Sequence, residues 1–164
     1  MKQEICINKS SRHQKVIGNF GESILCNWLS RSGFEVAIVD HTGVDIIAYN
    51  KRTKKRLGIS VKSRTRTSGK ETEPVNIFTN KKNDRNKLKM ACKAFRCEPW
   101  IAVYVETEKE ADVYLTSVKN YDKKYWIKNK IVDDWKMSKS YIDEYTADTK
   151  VKHIKIKFDK SKWW

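Results

Sequence analysis

The sequence predicts one α/β domain, an α+β mixed sheet flanked by helices in the order α-β-β-β-α-β-β. Three observations predict it. Apolar residues recur at helical spacing over residues 14–32, three short strand-like runs follow in close succession, and residues 100–105 are apolar throughout. A fully apolar run of that length suits a strand covered on both faces, at the centre of the sheet.

Val16, Ile17, Phe20, Ile24, Leu25, Trp28 and Leu29 form the stripe of the first helix, and Gly33 supplies its stop. Residues 34–39 read as a first strand and 44–49 as a second, joined by the short turn His41-Thr42-Gly43. Residues 50–56 are a polar, basic hairpin loop, and residues 57–63 make the third strand. Residues 64–74 are poor in apolar side chains and contain Ser68-Gly69, which predicts a mobile loop. Residues 81–96 read as a second helix, with Leu88, Cys92 and Phe95 at helical spacing, and residues 112–118 as a strand after the central one.

After Tyr121 the texture changes. Residues 121–147 mix lysines, aspartates and aromatics with weak periodicity, and residues 151–158 alternate like a strand with one solvated face. With no repeat and no linker rich in Gly, Pro or Ser, the chain divides into a core over residues 1–120 and a C-terminal extension over residues 121–164. The extension is expected to pack on the same domain.

Lys+Arg number 35 against 20 Asp+Glu in 164 residues, a net charge of +15. An excess that large concentrates anions and favours nucleic acid through counterion release. No apolar run approaches the roughly 18 residues of a membrane span, so no membrane partner is expected. The start lacks the apolar centre of a signal peptide, which predicts a cytoplasmic location and reduced cysteines. Cys6, Cys26, Cys92 and Cys97 include no Cys-x-x-Cys pair and no nearby histidine, so they read as small apolar fillers rather than zinc ligands.

Three short words carry the chemistry: Gly18-Asn19-Phe20-Gly21-Glu22, Gly43-Val44-Asp45-Ile46-Ile47-Ala48 and Ile59-Ser60-Val61-Lys62-Ser63-Arg64. Glu22 falls at the edge of the first helix's buried stripe, and Asp45 opens the second strand. Ser60 and Lys62 share one face of the third strand, because side chains alternate. Glycines beside both carboxylates permit close approach of backbone or ligand. A hard divalent ion needs oxygen ligands, and one or two carboxylates with waters and a substrate phosphate suffice. Lys62 then activates water or neutralises charge that builds on the phosphate.

In this layout the chain resembles the PD-(D/E)xK nuclease superfamily, in the branch similar to archaeal Holliday junction resolvases and restriction-endonuclease-like proteins. Glu22 matches the family's helix glutamate, Asp45 the aspartate of the second strand, and Lys62 the lysine of the third. The likeness spans about residues 14–105. It implies a restriction-endonuclease-like αβββαβ core and a magnesium- or manganese-dependent endonuclease acting on DNA, branched or otherwise structured. It also implies Asp45, Glu22 and the Val61 carbonyl as metal ligands, catalytic roles for Glu22, Asp45, Lys62 and the Ser60 position, and a two-fold homodimer. RNA is the less expected substrate. Ser60 departs from the pattern, standing where the family carries an acid. A hydroxyl ligates a hard cation less well, so a nucleic-acid-binding protein that has lost cleavage is the alternative. Asp40 is a spare carboxylate, with an ordinary turn role as the commoner explanation.

Basic residues cluster. Lys51, Arg52, Lys54, Lys55 and Arg56 fill the hairpin, and Arg64, Arg66 and Lys70 follow Lys62. Lys81, Lys82, Arg85, Lys87, Lys89 and Lys93 crowd the second helix, with only Asp84 opposing them in the sequence. In the resembled fold both the loop after the third strand and the second helix lie near substrate, so these residues are expected to meet phosphates. Lys119, Lys123, Lys124, Lys128 and Lys130 surround Tyr121, Tyr125 and Trp126, a pattern equally suited to stacking on unpaired nucleotides and to core packing. Trp163 and Trp164 suggest a docking or dimer contact. Among the histidines, only His41 precedes a candidate ligand closely.

Overall fold

The computed structural model describes residues 10–128 and 130–158. Cys6, Trp163, Trp164 and the side chain of Asp40 lie outside the described residues. Helix α1 (His13–Arg31) buries Ile17, Gly21, Leu25 and Leu29, one face at helical spacing. Strands β1 (Phe34–His41), β2 (Val44–Asn50) and β3 (Arg56–Thr65) follow as an antiparallel meander. The chain then passes through β4 (Val75–Thr79), a 3-10 turn at Asn80–Lys82 and α2 (Asp84–Ala94). It returns as β5 (Glu98–Glu106), parallel to β3. A parallel neighbour requires such a crossover.

Antiparallel β6 (Glu110–Ser117) and β8 (Lys152–Lys157) complete a six-stranded sheet of order β1-β2-β3-β5-β6-β8. Between them lie α3 (Val118–Lys124), β7 (Val132–Trp135) and α4 (Lys139–Ala147), with β7 pairing β4 in a separate two-stranded sheet. No helix among the described residues is long and apolar enough to cross a membrane.

Two apolar cores sandwich the main sheet. On one face α1 packs on Ile46, Ala48, Leu57, Ile59 and Tyr104. On the other, Leu88 and Cys92 of α2 join Ile101, Val103, Tyr121, Trp135 and Tyr145. Ile101 and Val103 thus serve one core, and Ala102 and Tyr104 the other. That division explains why residues 100–105 carry no solvated position.

Several details depart from the sequence expectation. β4 is an additional strand, too short and too close to Pro74 to announce itself. The second helix is shorter than residues 81–96, because Asn83 adopts a left-handed conformation (φ 54°) between the 3-10 turn and α2. β3 runs on to Thr65, and in the segment after it the Arg66 guanidinium donates to the carbonyls of Glu73 and Pro74 at 3.3 and 2.8 Å. Residues 121–147 hold β7, α4 and the end of α3, each too short to show a period. Cys92 is buried and Cys26 and Cys97 are half-buried; all three are free thiols.

Candidate active site

Glu22 owes its position to its neighbour. A Cβ on Gly21 would overlap the Ser63 hydroxyl oxygen and lie 3.2 Å from Tyr104 Cβ, so only glycine lets α1 approach β3 and β5 this closely. The next residue, Glu22, is held half-buried against the sheet. Its carboxyl pKa is raised, first by burial and then by the negative charge of Asp45. The two carboxylates therefore share one neighbourhood.

Asp45 sits where β2 separates from β3. Their pairing ends at Ile46 opposite Ile59. Beyond that point the Val61 N–H donates to the Asp45 carboxylate at 2.6 Å instead of to a strand partner. In an extended strand a residue's N–H and C=O leave on the same edge, so the Val61 carbonyl faces the same gap. The turn before Asp45 is fixed by Gly43, at φ +94°, where a Cβ would lie 2.6 Å from the Lys87 backbone carbon. The middle of α2 thus lies directly beside the turn that leads into Asp45.

Ser60 and Lys62 flank Val61 and leave β3 on the face opposite to it. Ser60 is buried, while Lys62 is half-buried and makes no ion pair within 4 Å among the described residues. The structure joins Asp45 to Val61 by a hydrogen bond and sets Glu22 near enough for the Asp45 charge to act on it; Lys62 follows Val61 along β3. Among the described residues no cluster of three His, Cys, Asp or Glu is arranged to hold a metal. The oxygen donors at the gap are two carboxylates and a carbonyl.

Of the candidate phosphate contacts, Lys54, Lys55, Arg56, Arg64, Lys81, Lys82 and Lys89 are exposed. Arg64 spends one N–H on the Ser63 carbonyl at 2.8 Å, and Arg56 lies over the Tyr49 ring and donates to the Phe95 carbonyl. The hairpin bearing Lys54 and Lys55 joins the far ends of β2 and β3. Five residue steps from Asp45 place it about 17 Å from the gap.

Arg85 and Arg66 are engaged elsewhere. Arg85 is opposed not by Asp84 alone but by Asp122, which takes its Nη1, and by Asp133, which takes its Nε and Nη2 at 3.1 and 2.7 Å. Asp84 itself caps Thr79, accepting from its N–H and hydroxyl. Arg66 closes its own loop as described. Tyr121 and Tyr125 are buried in the α2-side core, whereas Trp126 is 40% exposed. His41 sets its ring edge-on against Phe95, 5.1 Å away, just past α2.

One cluster had no sequence signal. His13 Nε2 meets the Thr65 hydroxyl at 2.8 Å, that hydroxyl donates to Glu106 at 3.2 Å, and the Tyr104 hydroxyl donates to the same carboxylate at 2.8 Å. It fastens the start of α1 to the ends of β3 and β5, the elements that carry Glu22 and Lys62. Residues so far apart in the chain share nothing that a linear pattern reveals.

No family model matches the chain, and no curated protein does. Among solved structures it is similar to Hjc, a Holliday junction resolvase from the archaeal hyperthermophile Archaeoglobus fulgidus. The likeness has a TM-score of 0.52 and 18% sequence identity, and covers 74% of this chain and 91% of that one. The fold is restriction-endonuclease-like. Within this fold, the gap between β2 and β3 is where Asp45 meets Val61, with Glu22 close enough to feel the Asp45 charge.

Proposed function

We propose that this chain is a divalent-metal-dependent endonuclease that hydrolyses DNA phosphodiesters, with branched DNA as its substrate class. One observation carries the reading. The charge of the β2 carboxylate Asp45 reaches the α1 carboxylate Glu22 at the edge of β3 where Val61 binds Asp45, one residue along the strand from Lys62, a lysine without an ion pair among the described residues. The likeness to Hjc supports the nuclease class and directs the choice of DNA structure. The reading assigns the protein to the cytoplasm as a two-fold homodimer, an assembly that light scattering measures.

The donor set fits a hard cation. Two like charges converge at partial burial, and burial with Asp45 already disfavours the ionised Glu22. Magnesium or manganese would be held by Asp45, Glu22 and the Val61 carbonyl, with water and phosphate oxygens completing the shell. Such an ion, when bound, supplies Lewis-acid charge and acidifies water. The Val61 N–H fixes the Asp45 carboxylate in orientation. Lys62 holds its ammonium at the non-bridging phosphate oxygens, where negative charge builds during attack. The lysines of α2 position the duplex through its phosphates.

Ser60 favours a second reading, a nucleic-acid-binding protein without cleavage, since its hydroxyl leaves the gap one acid short. Supercoiled plasmid and four-way junctions incubated with magnesium or manganese separate the two. The endonuclease reading expects cleavage by the parent, its loss in Asp45→Ala and Lys62→Ala, and retained DNA binding in both variants. Equal cleavage by variants and parent removes those residues from the chemistry. Binding without cleavage by the parent establishes the second reading, and Ser60→Glu is then the substitution expected to restore activity.

A further inference from the structure

Away from the gap, one aromatic side chain is both exposed and rigidly held. Trp126 follows α3, and its indole N–H donates to Asp133 at 2.8 Å. The Arg85 guanidinium lies over its ring, 5.2 Å from the centroid, and over the buried Phe78 ring at 4.8 Å. Asp122 and Asp133 hold that guanidinium in place. A cation supported by a core ring and two carboxylates therefore braces the indole, which remains 40% exposed. A core-packing role does not account for that exposure, and free rotation is prevented by the bond to Asp133.

The surroundings define what such a surface takes. Ile127 and Ile131 are 45% and 70% exposed, extending the apolar area. Asn80 ties this segment to the basic 3-10 turn, its N–H reaching the Ile131 carbonyl at 3.1 Å and its side chain the Lys130 carbonyl at 3.1 Å. Exposed Lys81 and Lys82 of that turn, and Lys128, make no ion pair within 4 Å among the described residues. An exposed indole with exposed apolar neighbours in its segment, tied to a turn whose ammonium groups have no ion pair among the described residues, matches one ligand chemistry, a base with its flanking phosphates. Paired bases hide their faces inside the duplex, so the base must be unpaired.

We propose that Trp126 is a stacking platform for an unpaired nucleobase, with Lys81, Lys82 and Lys128 receiving the adjoining phosphates. The inference rests on the nucleic-acid reading but not on cleavage. It gives the protein a second contact on branched DNA, at strands whose bases are open. Aromatic stacking is sequence-tolerant and falls by roughly tenfold or more on loss of the ring.

The test is metal-free binding of fluorescein-labelled dT12 and of a 12-base-pair duplex, to the parent, Trp126→Leu and Trp126→Phe. Trp126→Leu is expected to weaken dT12 binding about tenfold with duplex binding unchanged, and Trp126→Phe to recover most of the loss. Binding is read without metal and without cleavage, so a failed catalytic reading leaves this result intact. Equal dT12 affinity of Trp126→Leu and parent, with both folded by circular dichroism, overturns the platform. Equal weakening toward dT12 and duplex also overturns it, since that outcome reports general charge or fold damage.

Discussion

At the scale of single residues, the candidate site depends on how closely α1 meets the sheet. Gly21→Ala is predicted to destabilise the protein, although helix propensity alone favours alanine by about 0.5–1 kcal/mol. A net loss of about 1–2 kcal/mol in urea unfolding reports the overlap with Ser63. Among the described residues the buried Ser63 hydroxyl has no hydrogen-bond partner, so Ser63→Ala in the same background should restore most of that loss. Glu22 offers a second test. Burial and Asp45 raise its pKa, so above the ordinary value of 4.5 the native state holds a proton that the unfolded chain releases. Metal-free stability therefore falls as pH rises through the folded pKa, and the penalty persists at higher pH. Glu22→Gln removes it: the metal-free variant should melt above the parent at pH 8 and lose that advantage toward pH 4.5. Manganese should raise the melting temperature of the parent more than that of the variant. The nearness of Glu22 to Asp45 was legible because glycines and helix and strand periodicity frame both residues. The orphaned Ser63 hydroxyl and the His13–Thr65–Glu106 cluster were not, because they exist only after distant strands pair.

At the scale of elements, α2 is the basic surface that the fold brings beside the candidate site. The Gly43 turn lies against its backbone at Lys87, two residues before Asp45. The hairpin lysines, expected from the sequence to meet phosphates, lie at the far end of β2 and β3 from Asp45. Replacing Lys87, Lys89 and Lys93 together with glutamine should weaken duplex binding across sequences. Each phosphate contact contributes about −0.9 to the slope of log K against log salt, so the slope should become shallower by about 2–3. Unchanged slope would assign DNA contact to another surface. Long elements were readable from sequence because α1 repeats its apolar stripe over several turns and β5 is apolar without a break over residues 100–105. β4, β7 and α4 were not, since five, four and nine residues give the period too little room.

For the whole molecule, the decisive polar connection is Arg85. It reaches Asp122 across 37 residues and Asp133 across 48, and lies over Phe78 and Trp126. It therefore ties α2 and β4 to α3 and β7. Read along the chain, Arg85 looks like one more cation on a basic helix. Nothing local distinguishes it from Lys82 or Lys89, and only the fold supplies its two acids. Arg85→Met leaves Asp133, 6% exposed, without its charge partner and should cost on the order of 3–5 kcal/mol in urea unfolding. Asp122→Asn, at a more exposed partner, should cost much less.

The parallel join of β3 to β5 sets the order in which the protein comes into being. Leu57 faces Glu98 and Thr65 faces Glu106, so each partner emerges 41 residues later during synthesis. Glu22, Asp45 and Lys62 all leave the ribosome before the strand that holds β3 from its other side. Until Glu106 is free, Leu57 and Ile59 border an open strand edge, and such edges recruit other chains. The hydrolytic centre proposed above is thus completed only once β5 has emerged, from parts made well before it.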